Sequence, residues 1–450
     1  MRVSWFLTST LVAVPALAQK PTPTPTPAPT GPAESRGERL SIQEAVDRAI
    51  EFNHSLRISR EQIRAAEADR SAKTLSTFVP EISATLGANY QKDAASSPGA
   101  NFNGEPYGFF QGGLQARQVL LRGSASWQAL RYVDREIERL RFEYDRNERD
   151  QIAAVVKSFY GVLLSRKKID TYERVQRTQR SLLGRAQQRF RVGSERKLTV
   201  LQFQTKLALL EPQIIQARNE LETKSVELLN LLGDRRSPLF EVVGSFDRVV
   251  GLPLPSTVAK ADETQPELQS QLLEQAKLDA QKAVEMSKHW PSLEALASIN
   301  RSGTTSGAIF DNDNTRWSAG LGLTIPLFTG FSSFRERENW AARQAQLRIG
   351  ERKLRDELAQ RRVQVSRELE SVRARLNAQR AAVELAREAY ATGQQNYGLG
   401  TATYSTLFET EQALTEAELS YNQTEYDYLT KLADFYVVSG QPLRDLIKVL

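Results

Sequence analysis

The residues Tyr397-Gly398-Leu399-Gly400 separate two helical patterns, one of about seventy residues leaving Gly330 and one of about forty returning to Gly440. On the outgoing arm Leu347, Leu354, Leu358, Val365, Leu369, Val372, Leu376, Val383 and Tyr390 are spaced only by threes, fours and sevens. On the returning arm Leu407, Leu414, Tyr421, Tyr428 and Phe435 recur every seventh residue, the seam of helices packed along their length. At roughly 1.5 Å per residue the outgoing helix is on the order of 100 Å long, more than an ordinary globular core requires.

The same object occurs twice. An offset of 207 residues carries Gly123 onto Gly330, Gly193 onto Gly400 and Gly233 onto Gly440. The flanks agree as well: Leu120-Leu121-Arg122-Gly123 matches Leu327-Phe328-Thr329-Gly330, and Phe190-Arg191-Val192-Gly193 matches Tyr397-Gly398-Leu399-Gly400. Three anchors in register over more than a hundred residues imply an internal duplication.

Each copy also contains a stretch of period two. After Pro80, Ile82, Ala84, Leu86, Ala88 and Tyr90 alternate with Ser83, Thr85, Gly87 and Asn89, and Phe110, Gly112, Leu114 and Ala116 alternate with Gln111, Gly113, Gln115 and Arg117. After Pro291 the pattern returns in Leu293, Ala295, Ala297 and Ile299, then in Trp317, Ala319, Leu321, Leu323 and Ile325. Each half therefore inserts a β-hairpin between helices. Strands of roughly 9 to 11 residues, apolar on one face and small or polar on the other, suit a transmembrane barrel and equally a half-buried soluble sheet. Tyr90, Tyr107, Phe109, Trp290, Trp317 and Phe328 lie near strand ends, where an aromatic girdle sits. Four strands cannot close a barrel, so a membrane location requires several chains to share one wall.

The remaining helices follow from the same patterning. Ser41 and Glu44 form a capping box ahead of Ile42, Val46, Ile50, Ile58 and Ile63, predicting one helix that ends before Pro80. Leu130 to Tyr172 carries a long helix towards Phe190, and Leu207 to Leu228 carries its return with a kink at Pro212. The segment 234–255 reads as a loop with a small strand at Phe240-Glu241-Val242-Val243, and Pro266 suits the first residue of a helix. The shorter helices stack on the returning arms, giving four long struts continuous with four strands.

Arg2 and the apolar run from Trp5 to Leu17, ending at Ala16-Leu17-Ala18, read as an export signal. The expected organisation is a signal peptide at 1–18, a Pro/Thr-rich tether at 19–40, a first repeat at 41–233, an inter-repeat segment at 234–263, a second repeat at 264–440 and a tail at 441–450. The net charge of +6 is spread among mixed charges on every helix, which gives no nucleic-acid stripe. The chain has no cysteine, excluding disulfides and thiol chemistry, and His54 and His289 are its two histidines, without metal-ligand spacing. No cofactor, metal site or catalytic residue is expected.

The order of helix, β-hairpin, very long helix, glycine reversal and returning helix, given twice after a signal peptide, resembles the TolC-like outer-membrane efflux protein family. The resemblance covers Ser41 to Pro442 and rests most specifically on the two aromatic-x-aliphatic-Gly reversals and the switches at Pro80 and Pro291. It implies a mainly α protein with membrane β-structure: a homotrimer whose twelve strands form one outer-membrane barrel and whose helices form a hollow periplasmic cylinder. It also implies a passive export duct, either for efflux or for type I secretion, meeting a periplasmic adaptor and an inner-membrane pump. The alternative from another class is a periplasmic coiled-coil adaptor or scaffold.

By the same resemblance, Val192-Gly193-Ser194 and Leu399-Gly400-Thr401 match the tips that receive the adaptor; a helical reversal without a partner is the plainer reading. The aspartates that close the inner mouth in well-known members fall on Thr406 and Glu409, with Thr199 in the first half, and Tyr397 retains the family's aromatic. Only Glu409 keeps a carboxylate, and Ala402 replaces the arginine found near Thr401, so the usual salt-bridged lock is in doubt. Thr406 with Glu409, like Thr199 with Gln202, reads alternatively as a capping box.

Overall fold

The computed structural model describes residues 38–91, 106–233, 240–246, 265–305, 307 and 315–449. The expected signal peptide and nearly all of the tether, most of the inter-repeat segment and the hairpin loops lie outside them. In chain order the elements are β1 (Glu38–Leu40), α1 (Ile42–Phe52), α2 (His54–Phe78), β2 (Glu81–Gln91), β3 (Tyr107–Arg122), α3 (Ala125–Arg191), α4 (Lys197–Leu232), β4 (Phe240–Val242), α5 (Pro266–Met286), β5 (Ser292–Gly303), β6 (Thr315–Thr324), α6 (Ser332–Leu399), α7 (Tyr404–Ser439) and α8 (Leu443–Val449).

The duplication is present in the backbone. Among the described residues, the six glycines with positive φ are three pairs at the 207-residue offset: Gly123 and Gly330 (51° and 64°), Gly193 and Gly400 (78° and 79°), Gly233 and Gly440 (69° and 70°). The first pair precedes the long helices and the other two end helices, because only glycine takes the left-handed turn without a Cβ penalty. At 67 and 68 residues α3 and α6 are each roughly 100 Å long, and α4 and α7, both 36 residues, return about half that distance.

The helices α2 and α5 fill the upper half of the struts beside α3, while α4 and α7 flank α3 below. Lateral order is thus α2/α4, α3, α5/α7, α6. The sheet repeats it: β2-β3-β5-β6, antiparallel throughout, with the outer edges of β2 and β6 unpaired among the described residues. Apart from pairs such as Arg117↔Leu296 and Val119↔Glu294, the strand registers place like with like. Ala84, Leu114, Ile299 and Trp317 share one face, whereas Ser83, Gln115, Ser298 and Ser318 share the other. Leu86, Tyr90, Trp317 and Leu321 are exposed on the apolar face, the arrangement of a wall with hydrocarbon on one side and water on the other.

The main core is equatorial. There Phe159 and Tyr160 of α3 pack with Phe246, Leu228, Tyr428 and the amphipathic α1, and Val365 to Leu376 of α6 complete the layer. The C-terminal segment, expected as a tail, is a helix that buries Leu443, Leu446 and Ile447 in this core. The parallel pair β1–β4 includes the expected strand at Phe240 and a partner the sequence did not indicate.

Two expectations are corrected. The helix from Ser41 is two helices, because buried Asn53 leaves helical geometry (ψ 128°) to cap α2: its Oδ1 accepts from the Ser55 and Leu56 amides, and its Nδ2 donates to the Leu231 carbonyl at 2.8 Å. The capping box at Ser41 and Glu44 is present, but Ile58 is exposed. Pro212, where a kink is expected, lies inside α4 on an exposed face.

Candidate functional site

The two reversals lie side by side at the far end of the helices from the sheet. At the first, Ser194 donates its amide (2.8 Å) and its Oγ (3.1 Å) to the Arg189 carbonyl; at the second, Thr401 donates its amide and Oγ1 to the Asn396 carbonyl, both at 3.0 Å. Residues 207 apart thus make the same bonds. A hydroxyl residue after the glycine satisfies a carbonyl left without a helical partner. Gly193 and Gly400 face open space, and Val192 and Leu399 are 78% and 72% exposed.

Three bonds tie the reversals together. Arg189 Nη2 donates to the Gly398 carbonyl at 2.8 Å, the Tyr397 hydroxyl donates to Glu195 Oε2 at 3.4 Å, and the Tyr404 hydroxyl donates to the Gln202 carbonyl at 3.3 Å. Behind them Leu182, Ala186, Phe203 and Leu407 form a small buried cluster. Phe203 meets Tyr404 and Tyr397 edge-on, with ring centroids 4.7 and 6.1 Å apart. Burial, then the neighbouring Glu195 carboxylate, pushes the Tyr397 hydroxyl up to about 12, so it remains a donor at neutral pH.

The gate candidates separate. Thr199 is buried and Gln202 half-buried, whereas Thr406 and Glu409 are exposed, Glu409 accepting from Ser405 Oγ at 3.2 Å. The capping-box reading is corrected: α7 is capped by Thr403, whose Oγ1 accepts the Thr406 amide, and α4 has Arg196 at its N-cap, which makes no side-chain cap bond. Thr199 and Thr406 occupy the third helical position.

A feature absent from the sequence reading joins the two hairpins. On α7, Glu411, Glu418 and Glu425 recur every seventh residue and face α3, pairing with Gln179, Arg174 (2.6 Å) and Lys167 (2.8 Å); Asp434 continues the ladder to Lys157 at 2.5 Å. Glu411 and Glu425 are almost wholly buried. Desolvation raises the Glu411 carboxyl above the usual range, against the lowering effects of the Gln179 amide and Lys206. The nearby Tyr390 hydroxyl is pushed up to about 12, by burial first and then by Glu411. The heptad of glutamates is visible in sequence, but its basic partners Arg174 and Lys167 lie 244 and 258 residues away.

Comparison with known proteins agrees with this geometry. The profile of the outer membrane efflux protein family matches residues 45–234 and 257–441. Protein CyaE of Bordetella pertussis is 23% identical over 304 residues, a match spanning 67% of this chain and 63% of CyaE. Among solved structures, CusC superposes with a TM-score of 0.75 at 14% identity, covering 92% of this chain and 95% of that one. The CmeC outer membrane channel of Campylobacter jejuni gives 0.72 at 14% identity, covering 90% and 88%. With the profile covering both halves and the fold shared with these channels, the chain belongs to the outer membrane efflux protein family, at the outer membrane with most of its mass in the periplasm.

Proposed function

We propose that three copies close into one passive export duct, a twelve-stranded barrel above a helical cylinder, with no bond chemistry of its own. The observation that carries this reading is the open four-stranded sheet: one mainly apolar face, one mainly polar face, and two edges unpaired among the described residues. An open edge in hydrocarbon leaves a row of amides and carbonyls unsatisfied, each costing several kcal/mol, so the wall must close. The outer struts α4 and α6 carry exposed apolar residues, among them Leu201, Leu209, Val363 and Leu385, where neighbouring copies would pack.

In this reading the exposed tips, Val192-Gly193-Ser194 and Leu399-Gly400-Thr401, receive a helical hairpin of a periplasmic adaptor, and an inner-membrane pump supplies the energy. The layer of Thr199, Gln202, Tyr397, Thr406 and Glu409 closes the inner mouth. Opening is a population shift in which partners bind the open arrangement more tightly. Light scattering in detergent is expected to give three times the polypeptide mass, and planar bilayers a stable conductance. A water-soluble monomer without affinity for detergent overturns the duct and favours the scaffold. Unchanged conductance in Glu409→Ala removes Glu409 from the gate.

A further inference from the structure

The internal repeat fixes more than the existence of a closed wall: it fixes how one copy is seated against the next. Within the chain the first hairpin meets the second along β3 and β5, where Phe110 to Val119 pair with Gly303 to Glu294, followed by an irregularity at Leu120 and then Leu121↔Leu293. In a closed ring of alternating first and second hairpins, β6 and the next copy's β2 make the equivalent junction. The strand β3 maps onto β6 by the offset of 207, since Arg117 and Thr324 are the basal residues of their hairpins, opposite Glu81 and Ser292. The strand β2 maps onto β5 by 211, the separation of Glu81 from Ser292 and also of Pro80 from Pro291. The difference of four lies at the far ends of the hairpins, where the first has one more rung and two more loop residues than the second.

Resting on the trimeric reading above, we infer the register of the seam between copies: Ala319 opposite Tyr90, Leu321 opposite Ala88, Leu323 opposite Leu86, Thr324 opposite Thr85 and Ile325 opposite Ala84 of the adjoining copy. Three features accord with it, the second of them built into the offset of 211. The first is the pleat: apolar positions meet apolar ones and Thr324 meets Thr85, whereas a slip of one residue inverts every side chain of one strand relative to its neighbour. The second is level: with this pairing Pro80 and Pro291 stand at the same height around the ring, and a slip of two residues would displace the helix-to-strand switch by about 6.6 Å at the seam.

The third feature is the chain after β6. Residues Gln118–Arg122 are strand because β5 lies beside them, but their counterparts 325–329 are not in a strand, and Leu327 and Phe328 are highly exposed. The inferred seam gives this segment the partner that its twin already has. Pro326 then falls next to the equivalent of the irregularity at Leu120, a place where a ladder tolerates a residue without an N–H.

Because the chain contains no cysteine, introduced pairs report without background. The test pairs are Ala88→Cys with Leu321→Cys and Thr85→Cys with Thr324→Cys. They lie on opposite faces and at alternate rungs, so one of them is a narrow pair with Cα atoms about 4.5 Å apart. Within one copy β2 and β6 are three strand spacings apart, roughly 14 Å, beyond the reach of a disulfide. Slipped controls combine Ala88→Cys with Ala319→Cys or with Leu323→Cys.

Oxidised outer membranes of at least one test pair are expected to give a band at three times the monomer mass, lost on reduction, at least ~5-fold stronger than either slipped control. A slipped pair that cross-links better, with the unsubstituted protein still trimeric by light scattering, overturns the register and leaves closure standing. No cross-link from any pair together with a monomeric unsubstituted protein overturns closure itself.

Discussion

Gln179 of α3 donates its side-chain amide to the Glu411 carboxylate of α7 inside the junction of the two hairpins, where the two residues are 1% and 3% exposed. The bond links residues 232 positions apart and forms the tip-proximal rung of the ladder between the repeats. Buried ionic groups hold a defined arrangement at little net gain in stability, in contrast to the equatorial apolar core.

Glu411 makes stability depend on pH. Lys206 of α4, Tyr390 of α6, Tyr404 of α7 and Arg185 of α3 are the other titratable or charged groups at this site. The folded carboxyl is raised above its unfolded value, so its contribution is fully present below the unfolded pKa of about 4.3 and is lost as pH rises through the folded value. Glu411→Gln is therefore expected to be more stable than the parent at pH 7, by about 1 kcal/mol, with the difference vanishing near pH 4. Thermal unfolding in detergent across that range checks this; a variant less stable at pH 7 refutes it.

The rungs differ in strength. Lys167→Ala strands the Glu425 carboxylate, which is 2% exposed, and is expected to cost about 3 kcal/mol. Arg174→Ala costs less than about 1 kcal/mol, because Arg174 is largely exposed and Glu418 keeps Arg387 at 3.7 Å. Equal losses of melting temperature in the two variants contradict the ladder as described.

Glycine substitutions separate strain from collision. Gly193→Ala meets no atom and pays only for its positive φ, about 1 kcal/mol. Gly233→Ala pays the same strain and also places its Cβ 2.4 Å from the Phe52 carbonyl oxygen, so its loss should exceed 2 kcal/mol. Melting curves of the two variants rank them.

On the sheet, Leu321→Arg puts a charge on the apolar face and is expected to cost about 2–4 kcal/mol near the bilayer midplane, reducing recovery in outer membranes. Gln115→Arg lies on the polar face and is expected to assemble normally while shifting ion selectivity towards anions. Normal recovery of Leu321→Arg would assign the faces the other way.

The sequence alone determined the duplication, the glycine reversals, the two-residue period of the strands and the switches at Pro80 and Pro291. These are local or periodic signals, and helix length, turn geometry and strand alternation follow from each segment's own residues. Tertiary structure decided what depends on distant partners. Asn53 breaks a helix because it caps α2 and bonds Leu231; Leu443, Leu446 and Ile447 order the C-terminus because the equatorial core accepts them. The glutamates of α7 become a ladder only where α3 supplies Lys167 and Arg174, and Thr403, not Thr406, caps α7 because of where its first turn begins. Charge pairing and burial are set by which surfaces meet, and no window of sequence contains both.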